Sequence, residues 1–142
     1  MTLTPRDVKS RAGLSPQLRD MLDGGAGEPQ AVFASTATVA YTDTTAKDLF
    51  DLPANAVIVG ILVDVTTAFD DTGTDLLDIG KTGTADHFKD DLDVSSAGQT
   101  VNGWSNLGDV GTSPVTVTAT FTGSNADAAA GAATVTFLWV AS

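Results

Sequence analysis

The stretch PVTVTATFTG, residues 114–123, decides how this chain folds. Its Val115, Val117, Ala119 and Phe121 alternate with Thr116, Thr118, Thr120 and Thr122. A period of two puts one set on each face of a strand, so the apolar set turns toward a core and the threonines toward water. A strand with one wet face belongs to an antiparallel sheet.

The same texture extends in both directions. AVFASTATVAY at 31–41 is a strand, and so is AVIVGILVDVTTAF at 56–69, where Val57, Val59, Ile61, Val63 and Val65 alternate onto one face. Ile58 and Leu62 make the other face of that segment partly apolar, which marks a central strand. AATVTFLWV at 132–140 ends the chain with Val135, Phe137 and Trp139 on one side. The turn GSNADAAAG between the last two strands reads as a hairpin connection. Shorter strands are expected at TDLLDIG, 74–80, and near TVNGWSNLG, 100–108. Antiparallel strands with long irregular crossings predict an all-β fold, a jelly-roll-like antiparallel β-sandwich over residues 30–142.

Residues 1–29 read differently. TPRD at 4–7 offers Thr4 as a cap, Pro5 at the first helical position and Asp7 three residues after the cap; Gly13 stops the turn. SPQLRDMLDGG at 15–25 repeats this grammar and places Leu18, Met21 and Leu22 on one side of barely two turns. Helices this short do not hold themselves in water, and GGAGEP at 24–29 is a loose connector. The segment is expected to be a short helical or extended N-terminal arm with its linker, which docks on a partner.

Charge follows the same division. Arg6, Lys9, Arg11 and Arg19 stand against Asp7 and Asp20 in residues 1–22, a net of +2, which leaves −13 for the rest of a chain whose total is −11. Phosphate backbones are bound by clustered lysine and arginine, so an acidic body argues against a nucleic-acid partner. The absence of cysteine removes disulfides, thiolate metal sites and cysteine nucleophiles together. The first residues lack an apolar signal core and no apolar run approaches the roughly 18 residues that span a bilayer, so a soluble protein made in the cytoplasm, with no membrane partner, is expected.

Enzyme chemistry finds little support. The only histidine, His87, lies in IGKTGTADHFKDDLDVSSAG, 79–98, among Asp86, Asp90, Asp91 and Asp93. Phe88 and Leu92 are four apart, so ADHFKDDL is expected to make one helical turn that pins both under a loop and leaves His87 facing water. The chain has no nucleophile elbow, zincin helix, P-loop or dinucleotide glycine pattern. Calcium is the stronger metal idea, at DDTGTD, 70–75, and DDLD, 90–93, but neither has EF-hand spacing and Asp with Gly is also how β-turns are built. No catalytic residue, metal site or cofactor is assigned. A carbohydrate-binding module on the same scaffold would use Trp104 and Tyr41, the aromatics outside the inward faces.

One resemblance goes further than the chemistry. The run PANAVIVGILVDVTTAFDDTGTDLLDIGKTGTADHFKDDLDVSSAG, 53–98, with the threonine-rich hairpin and the final TVTFLWV, resembles small virion structural proteins of tailed bacteriophages, head-decoration or cement proteins above all. The likeness rests on Thr66, Thr67, Ala68 and Phe69 after the valine strand, then Leu77, Ile79 and Gly80, then Asp86 and Phe88, then Ala97 and Gly98. It implies a β-sandwich, often a homotrimer, on the outside of a capsid between capsomers, with the major capsid protein as partner and the virion, assembled in the host cytoplasm, as location. A tail or head-fibre component is the alternative. The arm's expected contact residues are Arg6, Lys9, Arg11, Leu14, Leu18, Arg19, Met21 and Leu22.

Overall fold

The computed structural model describes residues 31–141, which form nine strands and no helix. They are β1 (Val32–Ala40), β2 (Lys47–Leu52), β3 (Val57–Thr67), β4 (Asp75–Lys81), β5 (Thr84–Asp93), β6 (Gly98–Thr100), β7 (Gly108–Asp109), β8 (Val115–Gly123) and β9 (Ala132–Val140). One antiparallel sheet runs β1-β9-β3-β6, with β7 sharing the edge of β3 that β6 also uses. The other runs β2-β8-β4-β5. Apart from the β4–β5 hairpin and the β6–β7 pair, each strand is followed by one in the opposite sheet, which is the wrapping of a jelly roll. The expected all-β, jelly-roll-like sandwich is the observed fold.

The expected hairpin between the last two long strands is not there. β8 lies between β2 and β4, and β9 lies between β1 and β3, so residues 124–131 cross from one sheet to the other. Period-two alternation states which face is buried and says nothing about which strand lies alongside, so both arrangements satisfy the same sequence. β9 is nevertheless interior to its sheet, as expected of the final strand.

β3 is central, but its faces are not those of uninterrupted alternation. Ile58 pairs Trp139 and Gly60 pairs Leu138, which leaves Val59 as an extra residue in a bulge. The bulge reverses the parity: Ile58 is 3% exposed and Val59 is 53% exposed, while Ile61, Val63 and Val65 remain inside. Valine on both sides of the bulge hides the reversal in the sequence.

The stretch expected to form a helical turn is strand β5. Phe88 and Leu92 are both buried, because positions four apart share a face in a strand as they do in a helix. Gly83, at φ +85°, supplies the left-handed residue of the two-residue connection from Lys81 to Thr84. The threonine face of β8 is not uniformly wet either. Thr118 is buried opposite Gly80, and the carbonyls of Thr84 and Ala85 occupy the place a Cβ on Gly80 would take. The strand expected near 100–108 reduces to β6 and β7, which flank an irregular 101–107.

The core lies between the sheets. Val39, Ile61, Val63, Val135 and Phe137 enter from one side, and Leu52, Leu77, Ile79, Phe88, Val117 and Phe121 from the other. Phe137 is the junction: its ring meets Phe50 and Phe88 edge-on, with centroids 5.4 and 5.0 Å away. Such pairs add to the area term of burial, so one side chain ties β9 to both β2 and β5. Phe137→Ala is expected to cost about 3–5 kcal/mol in chemical denaturation, the usual cost of a phenylalanine-sized cavity. A loss below about 1 kcal/mol would show that the rings are not the tie between the sheets.

Candidate functional site

The partner-binding residues expected from the sequence, Arg6, Lys9, Arg11, Leu14, Leu18, Arg19, Met21 and Leu22, lie outside the described residues, as does the whole of 1–29. The chemistry-bearing groups of the body fall into three places.

The first is DDTGTD, whose carboxylates are used to build turns. Asp71 Oδ2 accepts from the Gly73 and Asn125 amides at 2.9 and 3.0 Å, and its Oδ1 from the Asp127 amide at 2.8 Å. Asp127 answers by accepting from the Thr72 amide and hydroxyl, and Asp70 accepts from the amides of Ala129 and Ala130. These bonds staple the β3–β4 crossing to the β8–β9 crossing. Gly123 makes room, since a Cβ there would sit 2.7 Å from the Asp71 carboxylate. Burial works to raise the Asp71 pKa, but the amides of Asn125, Asp127 and Gly73 overcome it and hold it at about 2. The amides of Ala130 and Ala129 lower that of Asp70. Turn building accounts for every one of these contacts.

The second place is β5. Four residues of β5, Lys89 to Leu92, face three of β4, Leu77 to Ile79, and Asp91 takes up the slack at φ +53° with its amide donating to Asp78 Oδ1 at 2.8 Å. Carboxylate oxygens of Asp78, Asp90 and Asp91 come within 4.8 Å of one another. The Asp90 pKa is raised, first by Asp91 and then by burial, Asp78 and Asp86, as expected where like charges crowd. His87 is partly exposed, beside the inward-turned Phe88. It is half-buried, meets the Phe88 ring edge-on at 4.8 Å and lines an open cleft of about 300 Å³ with Lys81, Asn106 and Asp109. Burial lowers its pKa, Lys81 lowers it further and Asp86 opposes them. The aromatics that a sugar platform would use, Tyr41 and Trp104, are half-buried against the core.

The third place carries no motif. β1 and β9 contain no charged residue, and apolar side chains stand exposed on or beside them: Val32 at 60%, Phe33 at 44%, Leu138 at 40% and Val59 on neighbouring β3. Phe33 stacks on Trp139 with ring centroids 4.7 Å apart, and the indole donates to Ser35 Oγ. The sequence does hold a signal, since VFASTATVA carries no charge in so acidic a chain, but its position at a sheet edge depends on strand order.

The sequence matches no protein-family model and no curated protein. Solved structures share its fold. A chain in the capsid asymmetric unit of cyanophage Pam1 superposes with a TM-score of 0.66 at 19% identity, over 80% of this chain and 86% of that one. A chain in the acidic stable capsid structure of Helicobacter pylori bacteriophage KHP30 gives 0.61 at 21% identity, over 78% and 87%. A chain in the capsid of Ralstonia phage GP4 gives 0.59 at 18% identity, over 79% and 85%. The likeness is one of fold, and it spans most of both partners in each comparison.

The stapled crossings set the response to acid. Unfolded, Asp71 protonates near 3.8; folded, near 2, so its contribution is fully present above the first value and is lost as pH falls toward the second. Melting temperatures are expected to hold down to about pH 4 and then fall. Asp71→Asn, which turns an amide donor toward amide donors, is expected to melt lower at neutral pH and to decline less steeply in acid. An acid decline as steep as that of the unsubstituted chain would show that Asp71 is not the group responsible.

Proposed function

We propose that this chain is a structural protein of a tailed-bacteriophage virion, one that decorates the outside of the capsid between capsomers and reinforces the shell. The observation that carries the virion role is the shared fold with chains of three phage capsid assemblies, across about four fifths of this chain. Fold alone does not fix function, and the residues supply the rest of the support. The carboxylates of DDTGTD are occupied in holding loops together, and His87 rests against a phenyl ring. A scaffold of this kind works by being stiff and being held in place, with no catalytic step and no cofactor.

In this reading the basic arm attaches the acidic body. Leu14, Leu18, Met21 and Leu22 give apolar contact to the major capsid protein, and Arg6, Lys9, Arg11 and Arg19 meet acidic groups on its surface. The acidic body faces outward, where self-repulsion keeps an abundant protein soluble. A homotrimer joins three arms, so weak single contacts add through high effective concentration into firm attachment. Assembly in the host cytoplasm, which is reducing, suits a chain without cysteine.

Deletion of residues 1–25 is expected to leave a body that still melts cooperatively, because the described residues from Val39 to Phe137 form an apolar core of their own. The truncated body is expected to stop co-sedimenting with capsids. Undiminished co-sedimentation would take the attachment role away from the arm, and light scattering that gives the mass of one chain at every concentration would remove the trimer.

A further inference from the structure

We propose that the groove around Lys81 seats an extended acidic segment of the major capsid protein, with one of its carboxylates on the Lys81 ammonium. This rests on the reading of the arm as an attachment to that protein. The described residues hold three lysines against fourteen aspartates. Lys47 donates to the Thr38 carbonyl and pairs Asp43. Lys81 makes no hydrogen bond or ion pair among the described residues, although it is only half-exposed in an acidic body.

Lys81 stands where two clefts meet. The first, of about 300 Å³, has Ile58, Phe88, Leu107 and Val110 on its walls together with His87 and Asp109. The second, of about 490 Å³, shares Lys81, Val110 and Val115 with the first and adds Thr82, Thr112 and Ser113. One cleft offers apolar walls and the other hydroxyls, with a cation between them. A small carboxylate would use only one of the two; an extended peptide runs through both, with an acidic side chain at the centre and an apolar one toward Leu107. The walls are held in place from within the body. Asn106 Nδ2 donates to the His87 carbonyl at 2.7 Å, the Val110 amide to the Ala56 carbonyl at 2.9 Å and the Asn55 amide to the Gly111 carbonyl at 2.7 Å. A groove so fixed loses little freedom on binding.

The carboxylates nearby leave Lys81 to the ligand. Asp109 Oδ1 accepts from the Gly111 amide and Asp51 Oδ1 from the Thr116 hydroxyl, both at 2.7 Å, and neither pairs Lys81. Asp86 precedes His87, yet after burial Lys81 is the stronger influence on the imidazole. An anion is attracted here and repelled over most of the acidic body.

Strand order supplies the partner. Val32 pairs Val140, Val140 pairs Val57 and Val57 pairs Asp109, whose neighbour Val110 lines both clefts. At about 4.8 Å per strand, the start of β1 lies roughly 15 Å from the groove. The segment before β1 therefore joins the body at the groove's end of the sandwich. A protein held by that segment is within reach of the groove, and the second contact gains from the effective concentration set by the first.

The chain's only histidine, His87, reports on the groove by its imidazole NMR signals. The probes are the blocked peptide TVEVT and its glutamine counterpart TVQVT, added to the full chain. TVEVT is expected to move the His87 signals and to bind at least about tenfold more tightly than TVQVT, as a charge-assisted contact requires. Lys81→Gln is expected to remove the preference and to weaken co-sedimentation with capsids about tenfold. Lys89→Gln, the same charge change at a lysine that lines neither cleft, is expected to do neither. Melting establishes that both variants are folded. Equal titration by the two peptides, or a preference that survives Lys81→Gln, overturns the carboxylate site. Capsid attachment that is indifferent to Lys81→Gln but lost on deletion of residues 1–25 overturns the groove's partner and spares the arm. Attachment that survives both changes overturns both.

Discussion

Electrostatic repulsion limits which surfaces of this protein can come together. Every strand of the β2-β8-β4-β5 sheet except β8 carries aspartate, and the loops between sheets carry more, whereas β1 and β9 carry none. Stability is not what this segregation serves, because the core between the sheets is apolar from either side. Its effect is on association. Three of the four strands of one sheet are acidic, whereas in the other the aspartates are confined to Asp64 of β3 and Asp109 of β7.

The carboxylates inside the fold have a separate task. A jelly roll must carry its chain from sheet to sheet again and again, and each crossing leaves backbone amides without a strand to pair with. Asp70, Asp71 and Asp127 take up those amides where two crossings meet, and the low pKa of Asp71 records how firmly they do so. What looks in the sequence like a calcium loop is a backbone clamp. The group that holds the crossings together at neutral pH also makes their stability depend on acid.

The strands are legible in the sequence because alternation survives whatever the topology. Val115 to Phe121 and Val135 to Phe137 lie inside as their period requires. Three features are not legible. Alternation names a face and no neighbour, so the β8–β9 crossing looks like a hairpin. A four-residue spacing serves a strand as well as a helix, so Phe88 and Leu92 conceal β5. Valines on either side of the β3 bulge conceal a change of face at Val59. The missing charge of β1 is visible as letters, and it becomes a candidate surface once strand order puts it at an edge. The arm residues, from Arg6 to Leu22, follow from caps and charge and lie outside the described residues.

In the proposed role this sandwich sits on the outer shell of a phage particle and is anchored there by its basic first segment. Cryo-electron microscopy of the particle that carries the protein tests that role most directly. The expected image has nine-stranded density on the outside of the capsid between capsomers, with the segment before β1 running onto the major capsid protein. Density of this fold at a tail junction, or a shell bare of it, would contradict the proposed role.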